Sequence, residues 1–101
     1  MDLAILTQKV EKISQGYAKK FSITRDSSWF VLKLQEEMGE LIQTYLMYSG
    51  QARKKGKEHH ELEKNFKEEV ADVFCHTLLL AHHYKIDLEK AVKEKWLVWE
   101  K

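Results

Sequence analysis

The sequence predicts an all-α protein, a four-helix bundle formed by two long antiparallel central helices and two shorter ones. Apolar residues recur every three or four positions through most of the chain, which is the spacing of one helix face. Proline is absent and only four glycines occur, so long helices meet little interruption. Because 101 residues supply one modest core, we expect residues 1–101 to form a single domain.

The first predicted helix runs from about Asp2 to Lys20. Its apolar positions follow helical spacing: Leu3, Leu6, Val10, Ile13 and Tyr17. The next eight residues break this pattern and supply several candidate N-caps, so the second helix is predicted to begin near Ser27 and to run to about Ser49. Gly50 is the expected stop signal.

A polar and basic segment, residues 51–60, is predicted to be a mobile connection. Helical periodicity returns from about Glu61 to Tyr84, and Asp87 is predicted to cap a last helix that reaches Trp96. The large aromatic residues outnumber what one small core holds, so some are expected at a subunit interface: Trp29, Tyr45, Tyr48, Trp96 and Trp99.

Charge and composition argue against several classes of partner. The chain has 17 Lys and Arg against 16 Asp and Glu, so its net charge of +1 gives no reason to expect nucleic acid. The mean hydropathy is −0.53, no apolar run reaches the length of a membrane span, and the first residues lack the features of a signal peptide. The single Cys75 agrees with a reducing compartment, and we expect a cytoplasmic protein.

Two pairs of acidic residues carry the chemical signal. Glu37 and Glu40 on the second helix, and Glu69 and Asp72 on the third, are each three residues apart and therefore share a helix side. Both pairs adjoin the predicted apolar stripes, so packing the two helices side by side makes the four carboxylates converge. Burying such charges together is costly unless a cation compensates. An all-oxygen ligand set favours Mg²⁺, with Mn²⁺ as an alternative.

Spacing alone leaves a second interpretation open. A pair of acids three residues apart is common on the solvated face of a helix, and such residues bind nothing. The same sequence therefore also fits a non-catalytic helical interaction module, for which no metal dependence is expected.

Three segments carry a resemblance to a known superfamily: Leu34–Leu41 (LQEEMGEL), Glu68–Val73 (EEVADV) and Ile86–Trp96 (IDLEKAVKEKW). Together they resemble the MazG-type all-α nucleoside triphosphate pyrophosphohydrolases, which carry Glu-x-x-Glu and, one helix later, Glu-x-x-Asp. The resemblance spans about Trp29 to Lys95. It implies Mg²⁺-dependent hydrolysis of a nucleoside or deoxynucleoside triphosphate to monophosphate and pyrophosphate, by a homodimer or homotetramer.

The resemblance also assigns roles to individual residues. Glu37, Glu40, Glu69 and Asp72 become metal ligands and catalytic residues, and Glu36 becomes a catalytic candidate that binds the metal through water or acts as general base. Three substrate-binding candidates follow from their positions one or two helical turns from these acids: Trp29, Lys33 and His76. The fourth, Lys95, stands where family members carry a lysine in the last helix. Trp99 stands where family members often carry an asparagine.

A further alternative lies within the same superfamily. The segment Glu69-x-x-Asp72, together with His76 one turn later, also resembles phosphoribosyl-ATP pyrophosphohydrolase. The Ser-Tyr-Thr segment that precedes the acidic pair in those enzymes is not evident here. One sequence does not identify the nucleobase, because the residues that line such a pocket come from more than one helix.

Overall fold

The computed structural model describes all of residues 1–101 and contains four α-helices and no strand, which confirms the predicted all-α class. The helices are α1 (Leu3–Lys20), α2 (Trp29–Tyr48), α3 (His59–His83) and α4 (Leu88–Lys95), followed by a short 3₁₀ helix (Leu97–Trp99). None of these helices combines the length and the apolar character that crossing a membrane requires.

Several helix ends differ from the predicted ones by one or two residues. α3 begins at His59 rather than Glu61, because the Glu61 side chain accepts a hydrogen bond from the Glu58 N–H and so stabilises an earlier start. The N-cap residue of α2 is Ser28, and the first N–H of the helix, that of Trp29, donates to the Asp26 side chain at 2.9 Å. The predicted Asp87 cap of α4 is confirmed, because its side chain accepts from the Lys90 N–H.

The C-termini of α1, α2 and α3 share one turn. In each, a residue just past the helix adopts the left-handed conformation: Ser22 (φ 55°), Gly50 (φ 81°) and Lys85 (φ 57°). The next N–H then returns to the carbonyl five residues earlier, at 2.8 Å in all three: Ile23 to Ala18, Gln51 to Leu46 and Ile86 to Ala81. Gly50 is thus the stop predicted for α2, while Ser22 and Lys85 adopt this conformation without the freedom of glycine.

α2 and α3 form an antiparallel hairpin. Phe30, near the start of α2, stacks on His83 at the end of α3 with ring centroids 4.3 Å apart. At the other end of the hairpin, Tyr48 stacks on His59 at 5.2 Å. The connection of residues 49–58 therefore reverses the chain, and the middles of the two helices, which carry the acidic pairs, face each other.

α1 packs against α3 and completes a three-helix core. The buried apolar residues are Ala18, Phe30, Leu62, Leu78, Leu79 and Ala81. The segment between α1 and α2 is held by Arg25, whose two terminal nitrogens donate to the Glu11 carboxylate at 2.7 and 2.9 Å. The Arg25 guanidinium also lies 5.2 Å from the centroid of the Phe30 ring.

α4 does not join this core, which differs from the predicted four-helix bundle. It packs on the 3₁₀ helix that follows and makes no comparable contact with α1, α2 or α3. The radius of gyration is accordingly 16.1 Å, against about 13 Å for a compact chain of this length. Several large apolar side chains of α2 and α3, and one just after α3, are about half exposed: Tyr45, Val70 and Tyr84.

The ion pair of Arg25 with Glu11 gives a stability prediction. Both side chains are largely buried, and the Arg25 guanidinium holds the pKa of Glu11 below its ordinary value of 4.5. We expect Arg25→Met to lower the free energy of unfolding by about 2 kcal/mol at pH 7. A carboxyl whose pKa is lowered by folding stabilises the fold above its unfolded pKa, so the difference should shrink as the pH falls below 4.5.

Chemical denaturation at pH 7 and at pH 3 measures this difference. The control is Lys67→Met, which removes an exposed ion pair with Glu63 and should leave the midpoint unchanged at both pH values. An equal loss of stability for Arg25→Met at both pH values would instead indicate that the effect comes from lost packing on Phe30 and not from the ion pair.

Candidate metal centre

Glu37 lies at the centre of the acidic cluster. It stands midway along α2 on the side that faces α3 and is only 7% exposed, the one charged residue among the buried ones. Its carboxylate takes part in two groups whose oxygens all lie within 4.8 Å of one another, one with Glu69 and Asp72 and one with Glu36 and Glu40. The hairpin therefore brings together the two acidic pairs that the sequence places on separate helices.

Two carboxylate oxygens in this cluster lack any hydrogen-bond partner. They are Glu37 Oε2 and Glu69 Oε2, and both are buried. A buried acceptor without a donor typically costs about 1–3 kcal/mol, and more when it is charged. The cluster thus has two oxygens, one from each helix, that a proton or a cation can satisfy.

The raised pKa values in the cluster also indicate that these carboxylates favour a bound proton or a cation. Burial, followed by the neighbouring Glu40 carboxyl, raises the pKa of Glu37 to about 7. Burial, followed by the charge of Asp72, raises the pKa of Glu69 above its ordinary value. Without a further cation, the fold therefore favours the protonated form of each residue relative to the free side chain.

Lys33 is the nearest cationic side chain. It bonds to Glu36, which raises the pKa of Lys33 and lowers that of Glu36, and its Nζ lies 3.8 Å from Glu37 Oε1. The ammonium is partly solvated and is shared between two carboxylates. One lysine therefore offsets only part of the negative charge contributed by five acidic residues.

His76 and Cys75 follow the acidic pair on α3. His76 Nε2 lies 3.7 Å from Glu37 Oε1, and burial, with a contribution from Lys33, lowers the pKa of the imidazole, which is therefore neutral at neutral pH. Burial raises the pKa of the Cys75 thiol. The thiol is consequently protonated and is not an activated nucleophile.

A cavity of about 390 Å³ opens beside the acids, between α1, α2 and α3. Its polar side is formed by Lys33, Glu37, Asp72 and His76. Its apolar side is formed mainly by α1 and Trp29, with Val10, Ile13 and Tyr17 as the α1 contribution. The volume lies within the range of small-molecule sites, about 300–1,000 Å³.

The structure gathers most of the predicted site residues. The residues around the cavity include three of the four substrate-binding candidates: Trp29, Lys33 and His76. Glu36 does not line this cavity and its side chain is 59% exposed, while Lys95 lies on α4, also outside the cavity. Tyr17 was not predicted as a site residue, because its place in the apolar stripe of α1 gives the same signal as a core residue.

Comparisons with protein-family models, with curated proteins and with solved structures found no match to this chain. Three features of the side chains bear on function: the converging carboxylates, the two unpartnered oxygens and the adjoining cavity, which is polar on one side and aromatic on the other.

The raised pKa of Glu37 gives a prediction for the metal-free protein. A carboxyl whose pKa rises on folding, here from 4.5 to about 7, lowers stability as the pH increases through that interval. We expect Glu37→Gln in EDTA to raise the free energy of unfolding by about 1–3 kcal/mol at pH 8, and to change it little at pH 4.

Urea denaturation at the two pH values measures this effect. Glu94→Gln, which alters an exposed carboxylate on α4, is the control and should leave stability unchanged at both. A loss of stability for Glu37→Gln at pH 8 would indicate that this carboxylate serves the fold and not a ligand.

Proposed function

We propose that this protein is a Mg²⁺-dependent nucleotide pyrophosphohydrolase of the MazG type, which hydrolyses a nucleoside or deoxynucleoside triphosphate to a monophosphate and pyrophosphate. The observation that carries the proposal is the buried Glu37 carboxylate. It joins acids from two helices, keeps one oxygen unpartnered and borders a cavity of nucleotide-compatible size. The motifs that resemble the superfamily occur at these same positions.

The donor set fits a hard divalent cation. Glu37, Glu40, Glu69 and Asp72 offer only oxygen atoms, and two of these residues hold buried oxygens that no protein donor satisfies. Mg²⁺ prefers such ligands and retains water and phosphate oxygens in its remaining positions, and Mn²⁺ is accommodated by the same set. When bound, the cation neutralises the phosphate chain and lowers the pKa of a bound water.

Lys33 and Glu36 then have complementary tasks. Lys33 borders the cavity and presents an ammonium to the phosphates, while its bond to Glu36 keeps the pKa of that carboxyl low. A phosphate that draws Lys33 away releases Glu36, and the pKa of Glu36 rises toward its ordinary value. Glu36 is thereby a better acceptor for the proton of the attacking water, whose oxygen bonds to phosphorus as the α–β phosphoanhydride bond breaks and pyrophosphate leaves.

The aromatic side of the cavity suits the nucleobase. Trp29 has its ring 6.3 Å from the His76 ring and lies one turn before Lys33, so it stands between the polar and the apolar sides. Tyr17 and the aliphatic residues of α1 continue the apolar surface. Stacking on such side chains needs only a flat ring, and it typically contributes about 1–3 kcal/mol per base.

Removing the metal ligands tests the proposal most directly. With Mg²⁺ and a panel of nucleoside and deoxynucleoside triphosphates, we expect the wild-type protein to release pyrophosphate and monophosphate, and EDTA to stop the reaction. Asp72→Asn and Glu40→Gln should each lower kcat more than about 100-fold, because each removes one of the charges that hold the cation. Chromatography of the nucleotide products, together with a pyrophosphate assay, provides the measurement.

A control variant separates a lost site from a lost fold. Glu63→Gln changes an exposed acid on the same helix as Asp72 and should retain wild-type activity. Adding phosphoribosyl-ATP to the panel tests the alternative that the protein is a phosphoribosyl-ATP pyrophosphohydrolase. If no substrate is hydrolysed with any divalent metal ion, the non-catalytic interaction module is favoured. Release of a nucleoside diphosphate and inorganic phosphate would contradict pyrophosphohydrolysis.

Trp29 gives a separate prediction about substrate binding. Trp29→Leu should raise KM for the preferred nucleotide about 5- to 100-fold, the equivalent of losing one stacked base, and should change kcat much less. Steady-state kinetics measure both constants. Tyr48→Leu, at the opposite end of the hairpin, should lower stability through its lost stacking on Phe66 without changing KM. Equal effects of both variants on KM would argue against contact between Trp29 and the base.

A further inference from the structure

Ser14, on α1, borders the cavity and takes no part in the proposed chemistry. Its Oγ accepts a hydrogen bond from Arg25 Nη1 at 3.1 Å. Arg25 in turn donates to both oxygens of the Glu11 carboxylate, at 2.7 and 2.9 Å, and its side chain is only 16% exposed. The Ser14 oxygen is therefore held by a group that is itself fixed by an ion pair.

The hydroxyl proton of Ser14 has no acceptor within the protein. Thr7 and Thr77, which also lie in helices, each donate to the backbone carbonyl four residues earlier, at 2.7 and 2.9 Å. The only hydrogen bond of the Ser14 side chain is the one that it accepts from Arg25. An oxygen that accepts from a cation becomes a stronger donor through its own proton. Ser14 thus presents a free O–H group to a ligand in the cavity.

Ser14 lies at the end of the cavity away from the carboxylates. Its partner Arg25 packs on the Phe30 ring, 5.2 Å from the centroid. Phe30 precedes Glu37 by seven residues, which is about 10 Å along α2. A nucleotide whose phosphates meet the acids and whose base stacks on Trp29 therefore directs toward Ser14 the edge of the base that is remote from the sugar.

Little around Ser14 can accept a hydrogen bond from a ligand. Val10 on α1 and Leu79 on α3 line the cavity with aliphatic side chains. The Glu11 carboxylate does not line the cavity, and both of its oxygens already accept from Arg25. An amino group at this place consequently lacks an anionic acceptor, whereas a carbonyl oxygen accepts the Ser14 proton.

We propose that Ser14 selects nucleotides whose base carries a carbonyl oxygen at the edge remote from the sugar. Uracil, thymine, guanine and hypoxanthine have this oxygen, whereas cytosine and adenine carry an amino group in its place. Arg25 is the positioning residue, because it holds the oxygen of Ser14 and leaves the proton free. The inference rests on the proposed function, since it takes the phosphates to lie at the carboxylates.

The expected preference is moderate. Ser14 is half-buried, so a water molecule can satisfy its proton when the base cannot. One neutral hydrogen bond, formed in exchange for a bond to water, typically changes binding by about 10-fold. Ser14 therefore favours one class of base without excluding the other.

Matched pairs of substrates test this selection, namely dUTP against dCTP and ITP against ATP. With Mg²⁺, we expect kcat/KM to be about 10-fold higher for the member of each pair that has the carbonyl oxygen. Ser14→Ala should bring both ratios to within about 2-fold of unity, because the variant lacks the donor. Ser14→Thr, which keeps the hydroxyl, should retain the preference.

Gln15→Ala is the matched control. Gln15 is the next residue of α1 and also bonds to Glu11, but it does not line the cavity, so both ratios should stay at the wild-type value. A change in folding alone would lower turnover of both members of a pair and leave their ratio unchanged. An unchanged ratio in Ser14→Ala, or a wild-type ratio at or below unity, would overturn the selection by Ser14.

A binding measurement distinguishes this inference from the proposed function. Isothermal titration calorimetry with the non-hydrolysable α,β-imido analogues of dUTP and dCTP gives Kd for each base without turnover. Equal hydrolysis of both bases would contradict the role of Ser14 and leave pyrophosphohydrolysis intact. If no triphosphate is hydrolysed, the proposed function fails and the analogues decide. Tighter binding of the dUTP analogue that is lost in Ser14→Ala supports the selection, and equal binding or none overturns it.

Discussion

The structure depends on one electrostatic constraint, which is the burial of an acidic side chain in the contact between α2 and α3. Glu37 occupies a position where helical packing ordinarily places an apolar residue, and its carboxylate adjoins those of Glu40, Glu69 and Asp72. Such a contact is unfavourable unless positive charge enters it. The α2–α3 hairpin therefore packs around the Glu37 carboxylate, whose negative charge opposes folding unless a cation offsets it.

This constraint also divides the hairpin into two chemically different sides. Residues that flank Glu37 in one direction around α2 are charged or aromatic and border the cavity, whereas those in the other direction are aliphatic or aromatic and have no partner in the protomer. α3 repeats the division, with Asp72 and His76 on one flank and Phe74 on the other. The charged side and the apolar side of this pair of helices therefore do not share surface.

Periodicity in the sequence predicted the helices and the convergence of the acids, because both depend on local spacing and on one antiparallel pairing. It did not predict that α4 leaves the core, since an amphipathic pattern shows that a face avoids water but not which chain covers it. For the same reason Tyr17 looked like a core residue and borders the cavity instead. The early start of α3 depends on the hydrogen bond from the Glu58 N–H to the Glu61 side chain. The polar composition of residues 51–60 predicted a connection there and gave no sign of this bond.

Stability and binding are consequently coupled in this chain. Only seven residues are buried in the protomer, and one of them is Glu37, so the core alone supplies little surplus over the cost of ordering the chain. Any ligand that binds the folded state and not the unfolded one adds RT ln(1 + [L]/Kd) to its stability. A cation at the carboxylates would relieve the repulsion inside the hairpin, because it would offset the negative charge that the core holds at Glu37.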